Sequence, residues 1–311
     1  MRVTVLGSAA GGGYPQWNCA CPNCSRLRVG RIRSKARSQA QVVVSPVEGE
    51  CYLLNASPDL RTQIVSTKLL DPSQPPRHTP ISGVVLTSAD VDSVVGLLHL
   101  REFQPLQIYS TPSIRRILLE DNHIFRVLDR ANPPAIWCDV PINTWFPLET
   151  SNVSSGESSA IRCRMVPLGS AYPDYVSENL RRALPPGEAV TGLVLAQGNK
   201  QIFYAPALPG RSEEWKDWAR SSELCLLDGT FWDEDELISA GVGWKTAREI
   251  GHVPLSAADG LLSQSDFAKA GRRVLIHINN TNPILDEDSP ENREVRDAGW
   301  EIAYDGMTFE V

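Results

Sequence analysis

Arg2-Val3-Thr4-Val5-Leu6-Gly7-Ser8-Ala9-Ala10-Gly11-Gly12-Gly13-Tyr14-Pro15 is the stretch on which the reading of the fold turns. An apolar strand running into glycines is how dinucleotide-binding folds begin. Here the spacing fails, because Gly7, Gly11, Gly12 and Gly13 do not form G-x-G-x-x-G. Pro15 and a cysteine-rich segment follow, so the helix that motif requires has no room. A nucleotide-binding start is excluded, and the fold must be read from what comes next.

Working outward, Ala40–Val44 and Cys51–Leu54 read as two strands joined by a turn around Pro46 to Gly49. Ile81–Leu86 is another strand, followed by a helix-like stretch from Ser93 to Arg101. Gln107–Ser110 is a short strand before a helix from Ser113 to Asp121. Several strands therefore precede the first good helix, unlike a doubly wound fold, where helices alternate from the start. Residues 132–187 are rich in Pro, Ser and Gly and weak in periodicity. Ile161–Val166, Gly192–Leu195, Gln201–Tyr204, Glu223–Leu227 and Arg273–Ile276 read as strands. Glu213–Arg220, Glu234–Ala240 and Ser256–Ala270 read as helices, and the chain closes on Trp300–Tyr304 and a turn at Asp305-Gly306. With no repeat and no clean linker, a single domain over 1–311 is expected, two strand-rich halves packed together with helices outside.

Composition excludes several classes. The 311 residues are 42% hydrophobic and 22% charged, ordinary for a globular chain. A net charge of -7 disfavours non-specific phosphate-backbone binding, so no nucleic-acid partner is expected. Arg26, Arg28, Arg31, Arg33, Lys35 and Arg37 do make a local basic run, read as a solvated face. No stretch approaches the roughly 20 apolar residues of a membrane span, so no membrane insertion is expected. The apolar run at the start is too short for a signal-peptide core. An odd total of seven cysteines argues against a disulfide framework, and a cytoplasmic setting is expected.

Cys19-Ala20-Cys21-Pro22-Asn23-Cys24 carries the strongest local chemistry. Three thiols this close cannot pair without leaving one over, but they can surround one tetrahedral ion. A structural zinc in a loop at about 14–30 is expected, with a fourth ligand from elsewhere. The neighbouring glycines and Pro15 argue against helix here. Polar residues at strand ends form a second pattern: Asn55 and Asp59, Asp90 and Asp92, Asp228, and His277. Residues just beyond strand ends gather at one sheet edge, where layered α/β proteins place their sites. Of five histidines, His78 reads as a loop residue, and His99 and His123 as packing or capping residues on helices. His252 follows Gly251 in a loop, and His277 leads into Asn279, Asn280 and Asn282, a polar cluster costly to bury without purpose.

Taken together, Leu6–Cys19, Asn55–Asp59, Phe203–Pro206, Leu227–Thr230, Gly251-His252 and Ile276–Leu285 resemble the PqqB family of pyrroloquinoline quinone biosynthesis, in the metallo-β-lactamase superfamily. The resemblance runs to Asp305-Gly306-Met307 and is weakest over 132–187. It implies an αββα sandwich of two mixed sheets flanked by helices, and a zinc on Cys19, Cys21 and Cys24. Phosphodiesterase relatives complete that zinc with a histidine at the position of Asn280. The superfamily signature H-x-H-x-D-H falls on Ser88-Ala89-Asp90-Val91-Asp92-Ser93, where the aspartate survives as Asp92. The family keeps the final histidine, here Ser93, and a further one in a Pro-Gly-His-Asn segment, here Glu188. What remains is Asp90, Asp92, Glu188, Asp228, His252 and His277, mostly oxygen donors, a set that suits iron(II) or manganese better than a dizinc hydrolase centre. The resemblance implies iron- and dioxygen-dependent hydroxylation of a tyrosine-derived (Glu-Tyr) precursor. Asp92 and His277 would then hold the metal with Asp90 or Glu188, while Asp228 and His252 position substrate or move protons. Two alternatives stand beside it: a catalytically degraded binding or carrier protein for the quinone or its precursor, and a metal-dependent hydrolase. Other biosynthesis proteins or a second copy are the implied protein partners.

Overall fold

The computed structural model describes residues 1–74, 76–102, 104–149, 161–210, 213–264 and 271–311. Two seven-stranded mixed sheets lie face to face. The first is built from β1 (Arg2–Gly7), β2 (Gln41–Ser45), β3 (Cys51–Leu54), β4 (Ile81–Val85), β5 (Gln107–Ser110) and β6 (Ile136–Asp139), with β14 (Thr308–Glu310) beside β1. The second contains β7 (Trp145–Pro147), β8 (Arg162–Gly169), β9 (Val190–Gln197), β10 (Lys200–Ala205), β11 (Leu224–Asp228), β12 (Arg272–Ile276) and β13 (Glu301–Ile302), in that spatial order. Each sheet is half antiparallel and half parallel. The run β3-β4-β5-β6 is parallel in one, and β10-β11-β12-β13 in the other.

The strands read as near-continuous apolar runs because both of their faces are buried. Val3, Val5, Val42, Val44, Tyr52 and Leu54 point between the sheets at Leu193, Leu195, Ile202, Tyr204, Leu226 and Ile276. The alternate residues point outward under helices: Val43, Leu53 and Val84 on one side, Phe203, Cys225 and Leu275 on the other. Truncating one of the fully buried leucines, such as Leu54, should cost about 2–5 kcal/mol. Burial pushes the thiols of Cys51 and Cys225 up to about 11 and about 12, as expected of packing residues.

The helices are short. They are α1 (Pro22–Arg28), α2 (Leu60–Val65), α3 (Val91–Val94), α4 (Pro112–Arg116), α5 (Glu178–Ala183), α6 (Glu214–Arg220), α7 (Glu236–Ser239), α8 (Ala247–Ile250) and α9 (Pro290–Asp297). Three segments read from the sequence differ in the structure, each for a local reason. The cysteine segment is not all loop: Pro22 sits at the first position of α1, where a missing N–H is harmless, and Cys24 lies within the helix. The helix expected over Ser93–Arg101 is one α-turn followed by 3-10 backbone, because the Gly96 N–H is taken by the Ala56 carbonyl at 2.9 Å. The helix expected over Ser256–Ala270 is turns with a 3-10 segment at Leu261–Ser263, pinned to Phe231 and Trp232 by the backbone of Leu255 and Ser256; 265–270 lie outside the described residues. The glycine-rich start owes its composition to backbone contact. A Cβ on Gly7 would sit 2.0 Å from the Gln39 carbonyl, and Gly12 turns at φ +92°. Among the described residues no helix is long and apolar enough to cross a membrane.

Candidate metal and substrate site

The C-terminal ends of the parallel strands carry the site, two from each sheet. Where β3 ends, Asn55 takes φ 66°, a left-handed conformation that asparagine tolerates. Its side chain grips Thr87 beyond β4, accepting from the Thr87 N–H at 2.8 Å and donating to its Oγ1 at 2.9 Å. The Thr87 carbonyl in turn accepts the Thr191 N–H at 2.9 Å, tying the first sheet to the second at the floor of the site. This clasp aims the next residues, through Asp90 and Asp92, into a cavity of about 640 Å³.

From the other sheet come Asp228 at the end of β11 and His277 just after β12. Asp228 is buried, accepting the Leu208 N–H at 2.8 Å and the Thr230 hydroxyl at 2.6 Å. His252 follows Gly251, which closes α8 at φ 104°, and its Nδ1 lies 2.7 Å from Asp228 Oδ2. His277 has φ 60°, a left-handed conformation uncommon outside glycine that histidine tolerates better than most residues. The two imidazoles stack with centroids 5.3 Å apart. Asp228, His252 and His277 offer ligand atoms within 4.8 Å of one another, and His277 Nε2 is 3.0 Å from Asp92 Oδ2.

Thr230 organises this group, and sequence reasoning gave it no role. Its Oγ1 lies 2.6 Å from Asp228 Oδ1, 3.1 Å from His252 Nδ1 and 2.9 Å from His277 Nδ1. A hydroxyl has one proton to give, and the shortest contact, to the carboxylate, takes it. With that proton so placed, a hydrogen bond at the 2.9 Å contact has His277 Nδ1 as its donor, and in the neutral ring this leaves the Nε2 lone pair facing the Asp92 carboxylate. Two acceptors 3.0 Å apart call for a cation between or beside them, either a second proton on the ring or a metal ion. Burial opposes charge on both partners, but their hydrogen bond and mutual attraction outweigh it, holding Asp92 below and His277 above their ordinary pKa. Asp228 is likewise held low against burial by the charges of His252 and His277. Asp90 differs: burial and the neighbouring Asp92 charge both push it up.

Asp90, Asp92, His252 and His277 thus line one cavity, with Asp228 behind His252. Glu188 is not brought to them. Its carboxylate accepts from the Ser113 N–H at 3.0 Å and the Ser113 hydroxyl at 2.5 Å, at the start of α4. Asp59 accepts the Gln39 N–H at 2.9 Å, and His99 and His123 are exposed in 3-10 segments.

A second cluster gathers around Asn280. Cys19, Cys21 and Cys24 are buried, and the Asn280 side-chain nitrogen sits 3.2, 3.5 and 3.4 Å from their sulfurs. An amide turned about its last bond would present oxygen at the same point, so the fourth position is occupied by a group able to ligate. Asn23 holds this loop by donating to the carbonyls of Asn280 and Asn282 at 3.2 and 2.9 Å. Burial pushes Cys24 up to about 11, while at Cys19 the hydrogen bonds from Cys21, Cys24 and Asn280 outweigh burial and bring it below its ordinary value. The basic run is a solvated face, with Arg26, Arg28, Arg31, Arg33 and Lys35 exposed, and some of it also binds neighbours: Arg26 pairs with Asp286 at 2.8 Å, Arg33 with Glu287 at 3.0 Å, and Arg28 donates to the Cys19 carbonyl.

The β-lactamase superfamily domain matches residues 51–278. Coenzyme PQQ synthesis protein B of Methylorubrum populi is 39% identical over 313 residues, covering all of both chains. The same protein of Klebsiella pneumoniae is 39% identical, covering 99% of this chain and 98% of its own. The crystal structure of Zn(2+)-bound PqqB from Methylobacterium extorquens superposes with a TM-score of 0.88 at 36% identity, over all of both chains. With the whole length matched at this identity and the two-sheet sandwich in common, the chain belongs to the PqqB family, within the β-lactamase superfamily.

Proposed function

We propose that this chain serves coenzyme PQQ biosynthesis as a metal-dependent hydroxylase of a tyrosine-derived precursor, with a structural zinc on Cys19, Cys21, Cys24 and Asn280. The observation that carries the catalytic part is the 3.0 Å approach of His277 Nε2 to Asp92 Oδ2, beside His252 in an open cavity. Two imidazoles and a carboxylate are the donor set of non-haem iron(II) oxygenases, and iron held there supplies open positions for dioxygen and substrate. Asp92 and His277 would hold the metal, with His252 or Asp90 as a further donor. Asp228 fixes the His252 ring through its Nδ1; where Asp90 is the further donor, the free His252 Nε2 would take the proton released as a ring C–H becomes C–O–H. Dioxygen gives one oxygen to the ring and the other to water, with two electrons from an external reductant. The substrate is read as small and peptide-derived, the setting as cytoplasmic, and other biosynthesis proteins or a second copy as partners.

A second reading, a precursor-binding or carrier protein without turnover, is favoured by Ser93 at a histidine position and by Glu188 turned onto Ser113. A hydrolase is the third and weakest. Anaerobic iron(II) titration of the wild type and His277→Ala separates them. One iron per chain beyond the zinc, lost in His277→Ala, together with oxygen uptake coupled to a glutamyl-tyrosine probe, supports the hydroxylase. Zinc alone, at one ion per chain, sinks it, and phosphodiester turnover abolished by Asp92→Ala would install the hydrolase instead.

A further inference from the structure

The cavity is lined by four carboxylates, Asp90, Asp92, Asp174 and Glu249, and among its described lining residues Lys245 is the only lysine or arginine. Lys245 lies between α7 and α8, immediately before the helix cap Thr246. Thr246 and Glu249 form a reciprocal capping box that fixes the backbone there and engages the Glu249 carboxylate. The ammonium reaches the opposite wall, where its Nζ is 3.0 Å from Asp174 Oδ2. That partner is loosely held: the Asp174 side chain is 86% exposed, and such surface pairs exchange readily. The same wall carries Tyr172 and Tyr175, whose hydroxyls are spent on the carbonyls of Pro185 and Ala89, so their aromatic rings are what they offer the cavity.

An acidic cavity repels an acidic ligand unless a cation receives it. We propose that Lys245 is a specificity-determining residue, binding a carboxylate of an aromatic, amino-acid-derived substrate in exchange for the carboxylate of Asp174. This rests on the hydroxylase reading only for the substrate class. Asp174 is then a competitor of the substrate, and removing it has the opposite effect to removing Lys245.

Calorimetric titration of the full chain with glutamyl-tyrosine, and with the same dipeptide amidated at both carboxylates, tests this. The wild type should prefer the acid by about tenfold, the worth of one charge-assisted contact. Lys245→Gln should abolish the preference and Lys245→Arg retain it. Asp174→Asn should tighten acid binding a few-fold, with melting temperatures unchanged in all three. A preference that survives Lys245→Gln, or acid binding weakened by Asp174→Asn, overturns the assignment. No binding of either dipeptide overturns it together with the substrate class. An acid-selective wild type that never hydroxylates the dipeptide upholds Lys245 and overturns the hydroxylase.

Discussion

The sulfur cluster and the nitrogen–oxygen cluster share the short run from His277 to Asn282, yet they are assembled in opposite ways. Three of the four groups around the sulfur site come from six consecutive positions, sealed in the interior. The other site draws Asp92, Asp228, His252 and His277 from four separate segments and opens onto a cavity. A site closed by four protein groups, three of them thiols, suits an ion held for structure, while one with an open side can admit a substrate. The difference teaches that one strand end can serve both purposes, because His277 reaches Asp92 and Thr230 while Asn280, three residues on, reaches the three sulfurs.

The largest test of this contrast is Cys21→Ser. Zinc content should fall from one ion per chain to none, with a drop of several degrees in melting temperature, read by metal analysis and calorimetry. Retention of zinc with an unchanged melting curve would merge the two clusters into a single class of incidental polar groups. An intermediate effect is expected of Thr230→Val, which keeps the shape but removes the hydroxyl shared by Asp228, His252 and His277. Active-site metal affinity should weaken by about 10–100-fold while the cysteine zinc stays in place. Equal losses at both sites would show that they are one unit.

The smallest effect concerns Glu236, which sits between them. Its carboxylate accepts from Thr281, next to Asn280, and from the Trp232 N–H at 2.6 Å, near Thr230. Burial raises its pKa from 4.5 to about 7, so its contribution to stability is present below about 4.5 and is lost as pH climbs through about 7. Glu236→Gln should flatten that slope in chemical-denaturation midpoints measured across the range, leaving both metal contents intact. A slope unchanged in the variant would assign it to another group.

Much of this was legible in the residues. Apolar runs ending in Asn55, Asp92, Asp228 and His277 marked the strand ends, and burial of both strand faces explains why those runs were unbroken. The cysteine spacing marked its own cluster. Thr230 was not legible, because Asp228-Gly229-Thr230 reads as an ordinary turn and its hydroxyl matters only once two histidines from later segments arrive. Lys245 was invisible for the same reason, its partner Asp174 lying in the region of weakest periodicity. The edge strands β6, β7 and β14 escaped because, being only partly buried, they lack the apolar run that marks equally short but buried strands such as β3. The strand order was likewise hidden, since β10 to β13 pair across intervening helices and turns.

Asn280 and Cys19 stand 261 positions apart in the chain. An ion bridging them would act on the denatured ensemble as a cross-link does, closing nearly the whole polypeptide into one ring. By chain-closure entropy such a ring is worth about 5–6 kcal/mol, near the upper end of what a single cross-link can contribute. It would also form late in folding, because its two ends meet only after both sheets have been laid down. Zinc capture would then act as a checkpoint on completed folding, and a chelator would do more to speed unfolding than to slow refolding.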